Sequence, residues 1–208
     1  MANVNDIYTR RSTREFTDKK IDPKKIEKII EAGLRAPSSK NTQPWYMIVL
    51  NGKKKDKICD FVTKEDFCIN TIPKSLKEKL KNQRVLDTVK ASVKIARSAD
   101  FLILIFNRSP LGVNRKKIYK KTDFESHYHH EMDIVGIGAC MQNMLLASHF
   151  LGLGAVVLAD IYTAEKEIKE FLRIDYDFIV SIALGYPKKK MGKRSISNEN
   201  VRYLIEKQ

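Results

Sequence analysis

The run FLILIF, residues Phe101–Phe106, consists of six consecutive apolar residues. An uninterrupted apolar run is typical of a strand that is covered on both faces, whereas half-exposed strands alternate between apolar and polar residues. The run therefore predicts a strand in the centre of a sheet. Three other apolar segments predict further strands: WYMIVL at 45–50, AVVL at 155–158 and FIVSIALG at 178–185.

Helical patterns separate these strands. The clearest is DPKKIEKIIEAGLRA, in which Asp22 can cap the helix, Pro23 fits its first turn and apolar residues recur at helical spacing. The other predicted helices are VNDIYTRR at 4–11, Lys53–Phe61, a helix within Ser75–Arg97, Glu131–Leu151, and TAEKEIKEFL at 163–172 with Thr163 as a possible cap. Because strands and helices are mixed without strict alternation, the expected fold is α+β.

The chain has 208 residues and contains no internal repeat or linker-like segment. A chain of this length suits one domain with its own core. We therefore expect residues 1–208 to form a single domain. Residues 107–130 are polar and aromatic without a clear period, so we expect a variable excursion or lid there.

Basic residues outnumber acidic residues by 39 to 25, which gives a net charge of +14. Such a surface attracts anionic partners by its field alone, but much of the excess lies in lysine runs, which are most often solvated. The aromatic residues do not interleave with the arginines as they would in a stacking platform for nucleic acid. Nucleic acid is therefore not an expected partner.

The cysteine pattern and the apolar segments limit the class of protein further. Three widely spaced cysteines without a CxxC motif argue against a disulfide scaffold or a zinc ribbon. The first residues have no apolar core of a signal peptide, and the apolar stretch Ile134–Leu158 is interrupted by Gln142, Asn143, Ser148 and His149. We expect a cytoplasmic protein without a membrane partner.

Several motifs do not support the chemistry that they suggest. In GLGAVV, the third glycine of a dinucleotide-binding fingerprint would fall on Val157, and no phosphate-binding GxxxxGK[ST] motif occurs. HYHHE, at 127–131, offers possible metal ligands, but no second ligand cluster accompanies it, so no metal is predicted. His149 lies among apolar residues and is predicted to be a core histidine. No nucleophile–base set is evident.

Three separated segments instead suggest a binding site for one anionic ligand. RRSTREF, at 10–16, holds three arginines and a serine, and arginine suits bidentate binding of phosphate. APSSKNTQPW, at 36–45, is a polar loop bracketed by prolines, whose amides and hydroxyls suit a heterocycle edge or a sugar chain. GYPKKKMGKRS, at 185–195, brings basic residues to the exit of the last predicted strand.

In this order and spacing, the segments resemble the FMN-dependent nitroreductase family, which has RRSxRxF-like and APSxxNxQPW-like motifs. The predicted central helix adds Asp133, Gln142 and Asn143, and GLG and ALGYP follow it. The resemblance covers nearly the whole chain and is weakest at 52–98 and 107–130. It implies an α+β fold with a central, mostly antiparallel sheet flanked by helices, in an interlocked homodimer.

The resemblance also implies a set of FMN-binding residues. The phosphate and ribityl chain would contact Arg10, Arg11, Ser12 and Arg14, and Lys193 or Arg194 would close the phosphate site. A loop of the partner subunit would lie by the flavin and provide Pro37, Ser38, Ser39 and Asn41. The flavin ring would lie along Leu158, Ala159 and Asp160, with a backbone N–H near its N5. Many relatives have a glycine in this last stretch, and this chain does not.

The implied activity is hydride transfer from NADH or NADPH, through FMN, to a nitroaromatic compound, a quinone or a similar small acceptor in a ping-pong cycle. Such chemistry requires no side-chain nucleophile, because the cofactor carries the reaction. Two alternatives remain. The protein could bind or store flavin without turnover, or it could perform a different redox reaction of the superfamily, such as dehalogenation, dehydrogenation or flavin reduction, since the fold does not determine the substrate.

Overall fold

The computed structural model describes residues 4–63, 83–111, 124–189 and 192. Within these residues, four strands form one antiparallel sheet in the order β1–β2–β4–β3. The strands are β1 (Trp45–Asn51), β2 (Phe101–Asn107), β3 (Gly154–Leu158) and β4 (Asp177–Gly185). FLILIF is therefore confirmed as part of a central strand, and the predicted mostly antiparallel sheet flanked by helices is confirmed.

Helices connect the strands and cover the sheet. The α-helices are α1 (Val4–Thr9), α2 (Pro23–Leu34), α3 (Gly52–Thr63), α4 (Gln83–Ser98), α5 (Phe124–Phe150) and α6 (Glu165–Leu172). Two short 3-10 helices span Ser39–Asn41 and Asp160–Ala164. Asp22 caps α2 as predicted, since its side chain accepts a hydrogen bond from the backbone N–H of Lys24. Among the described residues, no helix has the length and apolar character needed to cross a bilayer.

The predicted starts of two helices were wrong. Helix α5 begins at Phe124 instead of Glu131, so the end of the predicted 107–130 excursion is helical. That first part carries polar His–Glu pairs at helical spacing, such as the exposed pair His127–Glu131, and therefore lacks an apolar pattern. Thr163 lies inside a 3-10 turn, where its hydroxyl donates to the carbonyl of Asp160, and caps no α-helix. Helix α1 ends at Thr9, directly before the basic cluster, as predicted.

The sheet is buried because each face packs against a different group of helices. Alternate residues of β2 belong to different clusters: Leu102, Leu104 and Phe106 pack with α3, α4 and α6, whereas Ile103 and Ile105 pack with α2 and α5. This two-sided burial explains the uninterrupted apolar run of β2. Helices α2 and α5 approach closely, since a Cβ atom at Gly33 would lie 2.7 Å from Cγ of Met144.

The segment from Arg10 to Thr17, which we call the arm, runs extended along the end of the sheet. The N–H of Thr13 donates to the carbonyl of Ala155 in β3 over 3.0 Å. The N–H of Thr17 donates to the carbonyl of Tyr186, just beyond β4, over 2.8 Å. Phe16 is buried in the core on the α3/α4 side. The arm therefore attaches the first predicted motif to both the GLG and the GYP segments.

Two glycines provide the space for the arm. Gly154 and Gly185 are register partners across β3 and β4. A Cβ atom at Gly154 would lie 2.6 Å from the side chain of Thr13, and one at Gly185 would lie 2.6 Å from Cδ1 of Phe16. The glycines of these two motifs are thus required by close packing of protein against protein.

Substitution of Gly154 tests this packing. Gly154→Ala should lower the free energy of unfolding by roughly 1–3 kcal/mol, the usual cost of overpacking, as measured by urea denaturation. Gly192→Ala is the matched control, because a Cβ atom there would meet none of the described atoms within 4 Å. Adding Thr13→Gly to Gly154→Ala should recover part of the loss. Strictly additive losses in the double variant would contradict the proposed clash.

Candidate functional site

The arm, the end of α5 and the exit from β4 enclose a cavity of about 410 Å³, which we call the basic cavity. Its lining residues are Thr9, Arg10, Arg11, Thr13, Leu145, His149, Leu153, Ala155, Pro187 and Lys189. Three of these side chains are cations, and this described lining contains no carboxylate. Arginine and lysine side chains around a cavity of this kind suit an anionic group such as a phosphate.

Within the first motif, the four predicted residues have different environments. Arg10 and Arg11 are half-buried and line the basic cavity. Ser12 forms a backbone bridge with Ala155 of β3, and Arg14 is exposed. Alternate residues of an extended chain face opposite sides, so Ser12 and Arg14 face away from the buried side chain of Thr13. The arm can therefore present both side chains to a ligand that lies along β3.

Arg11 also links the arm to the last described part of the chain. Its Nε donates to the carbonyl of Gly192 over 2.7 Å, and its Nη1 donates to the carbonyls of Arg10 and Tyr8. The segment after β4 is held at the same place, since Lys189 pairs with Glu15 over 2.8 Å. The first and third predicted segments thus meet. Lys193 and Arg194, which follow Gly192, lie outside the described residues.

Leu158, Ala159 and Asp160 lie at the opposite end of β3 from the bridge to Ser12. Leu158 is buried, and its carbonyl accepts a hydrogen bond from Ser181. Ala159 is exposed, and the carboxylate of Asp160 accepts a 2.6 Å hydrogen bond from the hydroxyl of Ser92. Four residues of strand separate Ala155 from Ala159, which corresponds to roughly 13 Å. A ligand that contacts both ends of β3 must therefore be elongated.

The loop at 37–44 forms a separate polar surface. Pro37 and Asn41 are exposed, and Ser38 and Ser39 are half-buried. The hydroxyl of Ser38 accepts a 2.9 Å hydrogen bond from the N–H of Gln43. The loop has positive φ angles at Lys40, Asn41 and Gln43, of 50°, 54° and 48°. Such angles are strained for residues other than glycine and are frequent at binding sites.

Arg108, which the sequence analysis did not select, holds this loop in place. Its Nε donates to the carbonyl of Gln43 and its Nη2 to the carbonyl of Thr42, both over 3.0 Å. Its backbone N–H donates to the carbonyl of Pro44 over 2.9 Å. The sequence did offer a signal for Arg108, because it directly follows the apolar strand β2 and a charged residue there indicates the end of the strand.

The loop and the basic cavity are far apart within one chain. The loop packs on α5 at Gly136, where a Cβ atom would lie 3.3 Å from Cβ of Ser38. The basic cavity contains His149, thirteen residues further along the same helix. At the rise of an α-helix this separation is roughly 20 Å. The loop's contribution to the site of a partner subunit therefore stays a prediction.

The prediction for His149 was wrong. Its ring is half-buried and lines the basic cavity, where Nε2 lies 3.0 Å from the hydroxyl oxygen of Thr9. Lys189 also lines the cavity. The sequence analysis had named Lys193 and Arg194 from its segment, but not Lys189. The apolar neighbours of His149 in the sequence hid its position, because the end of a helix can have one face in the core and another on a cavity.

Comparison with known proteins gives the same architecture. The model of the nitroreductase family matches residues 7–186. The chain belongs to the nitroreductase family. A protein of Archaeoglobus fulgidus assigned as an NADH dehydrogenase/NAD(P)H nitroreductase is 28% identical over 187 residues, which cover 88% of this chain and 83% of that protein.

This nitroreductase-family chain is also similar to two solved structures. A protein from Desulfovibrio desulfuricans, assigned as a nitroreductase and crystallised in complex with FMN, is 27% identical with a TM-score of 0.67, and the match covers 100% of this chain and 99% of that one. A BluB-like flavoprotein from Clostridium difficile 630 is 24% identical with a TM-score of 0.78, covering 99% and 100% of the two chains. The second similarity concerns the fold alone.

Asp133 is the buried charge of α5 in this nitroreductase-family chain. It is 3% exposed, and its carboxylate accepts a 3.2 Å hydrogen bond from Asn107. Burial raises the pKa of the Asp133 carboxyl above its ordinary value of 3.8. The Asn107 hydrogen bond and the nearby His130, His129 and Arg108 oppose this effect. Burial dominates because an ionised carboxylate loses its hydration there.

The raised pKa predicts how Asp133→Asn changes stability with pH. The folded protein keeps this proton to higher pH than the unfolded chain, so the carboxyl's contribution is fully present below pH 3.8 and is lost as pH rises through the folded pKa. The Asp133→Asn variant avoids that loss of stability, and its side-chain carbonyl can still accept the hydrogen bond from Asn107. The stability of Asp133→Asn relative to wild type should therefore increase as pH rises above about 4, by about 1.4 kcal/mol per unit of raised pKa.

Denaturant unfolding at several pH values measures this effect. Asp18→Asn is a matched control at an exposed position. A relative stability of Asp133→Asn that stays flat, or falls as pH rises, would show that burial does not dominate at Asp133.

Proposed function

We propose that this protein binds FMN and transfers a hydride from NADH or NADPH to a small acceptor such as a nitroaromatic compound or a quinone. The observation that carries the proposal is the basic cavity, which Arg10 and Arg11 line at one end of β3. From this end, β3 leads to Leu158–Asp160 roughly 13 Å away. A phosphate at one end and a flat ring at the other match this distribution of charge.

The residues of the chain would divide the binding of FMN among them. Arg10 and Arg14 would pair with the phosphate and the neighbouring oxygens, Ser12 would donate a hydrogen bond to the ribityl phosphate, and Arg11 would lie beside the phosphate. Charge-assisted hydrogen bonds of this kind are the strong ones. Bound FMN supplies the redox chemistry, exchanging a hydride with the donor and then with the acceptor. The donor and the acceptor would occupy the same place in turn.

The far end of β3 would orient the ring. The backbone from Leu158 to Asp160 would lie along its edge and provide an N–H near N5. The hydrogen bond from Ser92 holds the Asp160 carboxylate against α4. This contact would keep the turn after β3 in place although it lacks the glycine of many relatives.

A homodimer is part of the proposal. Helices α1 and α5 carry large apolar side chains that one chain leaves exposed: Ile7, Tyr8, Val135 and Phe150. Exposed apolar surface of this extent is typical of an interface between subunits. A second copy would cover it. The loop with Pro37, Ser38, Ser39 and Asn41 lies roughly 20 Å along α5 from the basic cavity of its own chain. In the dimer it would instead reach the partner's FMN.

A visible spectrum of the purified full chain tests the function. The protein should be yellow, or become yellow on incubation with FMN, and NADH or NADPH should bleach the flavin bands without oxygen. Yellow protein that neither nicotinamide bleaches would favour flavin storage or another donor. Colourless protein that cannot take up FMN would overturn the proposal.

A double substitution tests the phosphate assignment. Arg10→Ala with Arg14→Ala removes two charge-assisted hydrogen bonds and should weaken FMN binding on the order of a hundredfold or more, as measured by quenching of flavin fluorescence. Arg35→Ala with Arg97→Ala is the matched control, since it removes the same charge from arginines that pair with Glu31 and Asp60. Equal FMN affinity of the two double variants would refute the assignment.

A further inference from the structure

His149 lies where its charge can act on an anion in the basic cavity. It is in the last turn of α5, and its ring lines the cavity with Arg10, Arg11 and Lys189. A helix C-terminus favours a positive charge. Nothing in the FMN-binding scheme above uses this side chain, although it is a titratable group at the proposed phosphate site.

The contact with Thr9 can hold the ring in both of its charge states. The hydroxyl of Thr9 donates to the carbonyl of Asn5 over 2.8 Å, so its oxygen is available to accept. Nε2 of His149 lies 3.0 Å from that oxygen, so a ring that carries a proton on Nε2 can donate to Thr9. Nδ1 can then take up a second proton without loss of the bond to Thr9. The ring can change its charge while its position is maintained.

The charged groups around the ring make its protonation sensitive to a bound anion. Arg10 and Arg11 of the arm and Lys189 beyond β4 line the same cavity. Asp6 lies on α1, three residues before Thr9, and Lys25 of α2 donates to the carbonyl of Leu151. A doubly negative phosphate bound among these groups would favour a positive charge on the nearby ring.

We propose that His149 binds the FMN phosphate in its protonated form, so that FMN retention is linked to the uptake of a proton. The proposal rests on the proposed function, because it assumes that the phosphate occupies the basic cavity. By linkage, the protonated ring strengthens FMN binding, and this contribution is lost as pH rises and the ring becomes neutral. The pH range in which histidines change charge is about 5 to 8.

The dissociation constant of FMN is measured by fluorescence quenching from pH 5.5 to 8.5 for the wild type, His149→Gln and His149→Lys. Glutamine is neutral but can still donate to Thr9, and lysine carries a charge throughout this range. His149→Gln should bind FMN roughly three- to tenfold more weakly than the wild type at pH 5.5–6, and about equally at pH 8.5. His149→Lys should bind more tightly than His149→Gln at every pH.

Two controls isolate the effect. The phosphate itself gains charge near pH 6, but this affects all variants, and the ratio of dissociation constants removes it. Riboflavin, which lacks the phosphate, should show no difference between the wild type and His149→Gln at any pH. His127→Gln removes an exposed histidine that pairs with Glu131, roughly 33 Å away along α5, and should leave the pH profile of FMN binding unchanged.

The outcomes separate this inference from the proposed function. A ratio that does not change with pH, or an equal effect on riboflavin, would overturn the role of His149 while FMN binding by the wild type stands. Wild-type protein that binds no FMN at any pH would overturn the proposed function itself. If His149→Gln does not fold, calorimetry of the wild type at pH 7.5 in buffers of different ionisation enthalpy decides, since FMN binding should take up protons. Release of protons, or no exchange, would contradict the proposal.

Discussion

The docking of the arm across Gly154 and Gly185 is the contact on which the candidate site depends. The two glycines face each other across β3 and β4, and the side chains of Thr13 and Phe16 occupy the space that a Cβ atom would need. The backbone hydrogen bond from Thr13 to Ala155 then holds the arginines next to β3.

The same contact brings distant parts of the chain together. The segment after β4 meets the arm through Lys189 and Glu15 and through Arg11 and the carbonyl of Gly192. This ion pair and this hydrogen bond are both exposed, and each contributes little stability alone. These two contacts set the position of the segment after β4, whereas the buried side chain of Phe16 supplies the apolar contact that stabilises the arm.

The sheet provides the distances within the site. β3 separates the bridge at Ser12 from the turn at Asp160, and α5 separates the basic cavity from the loop at 37–44. Rigid elements of this kind set spacings more precisely than loops do. An elongated ligand along β3 and a second subunit that supplies the loop both follow from these spacings as proposals.

The sequence alone determined the strands, most helix positions and the residue types of an anion site. Apolar run length and helical spacing reflect burial, so FLILIF and the α2 pattern could be read directly. The start of α5 could not be read, because its first turns are exposed and polar. Only the tertiary structure decided the roles of His149, Arg108 and the two glycines. These roles arise from contacts between segments far apart in the chain, and no local pattern records such contacts.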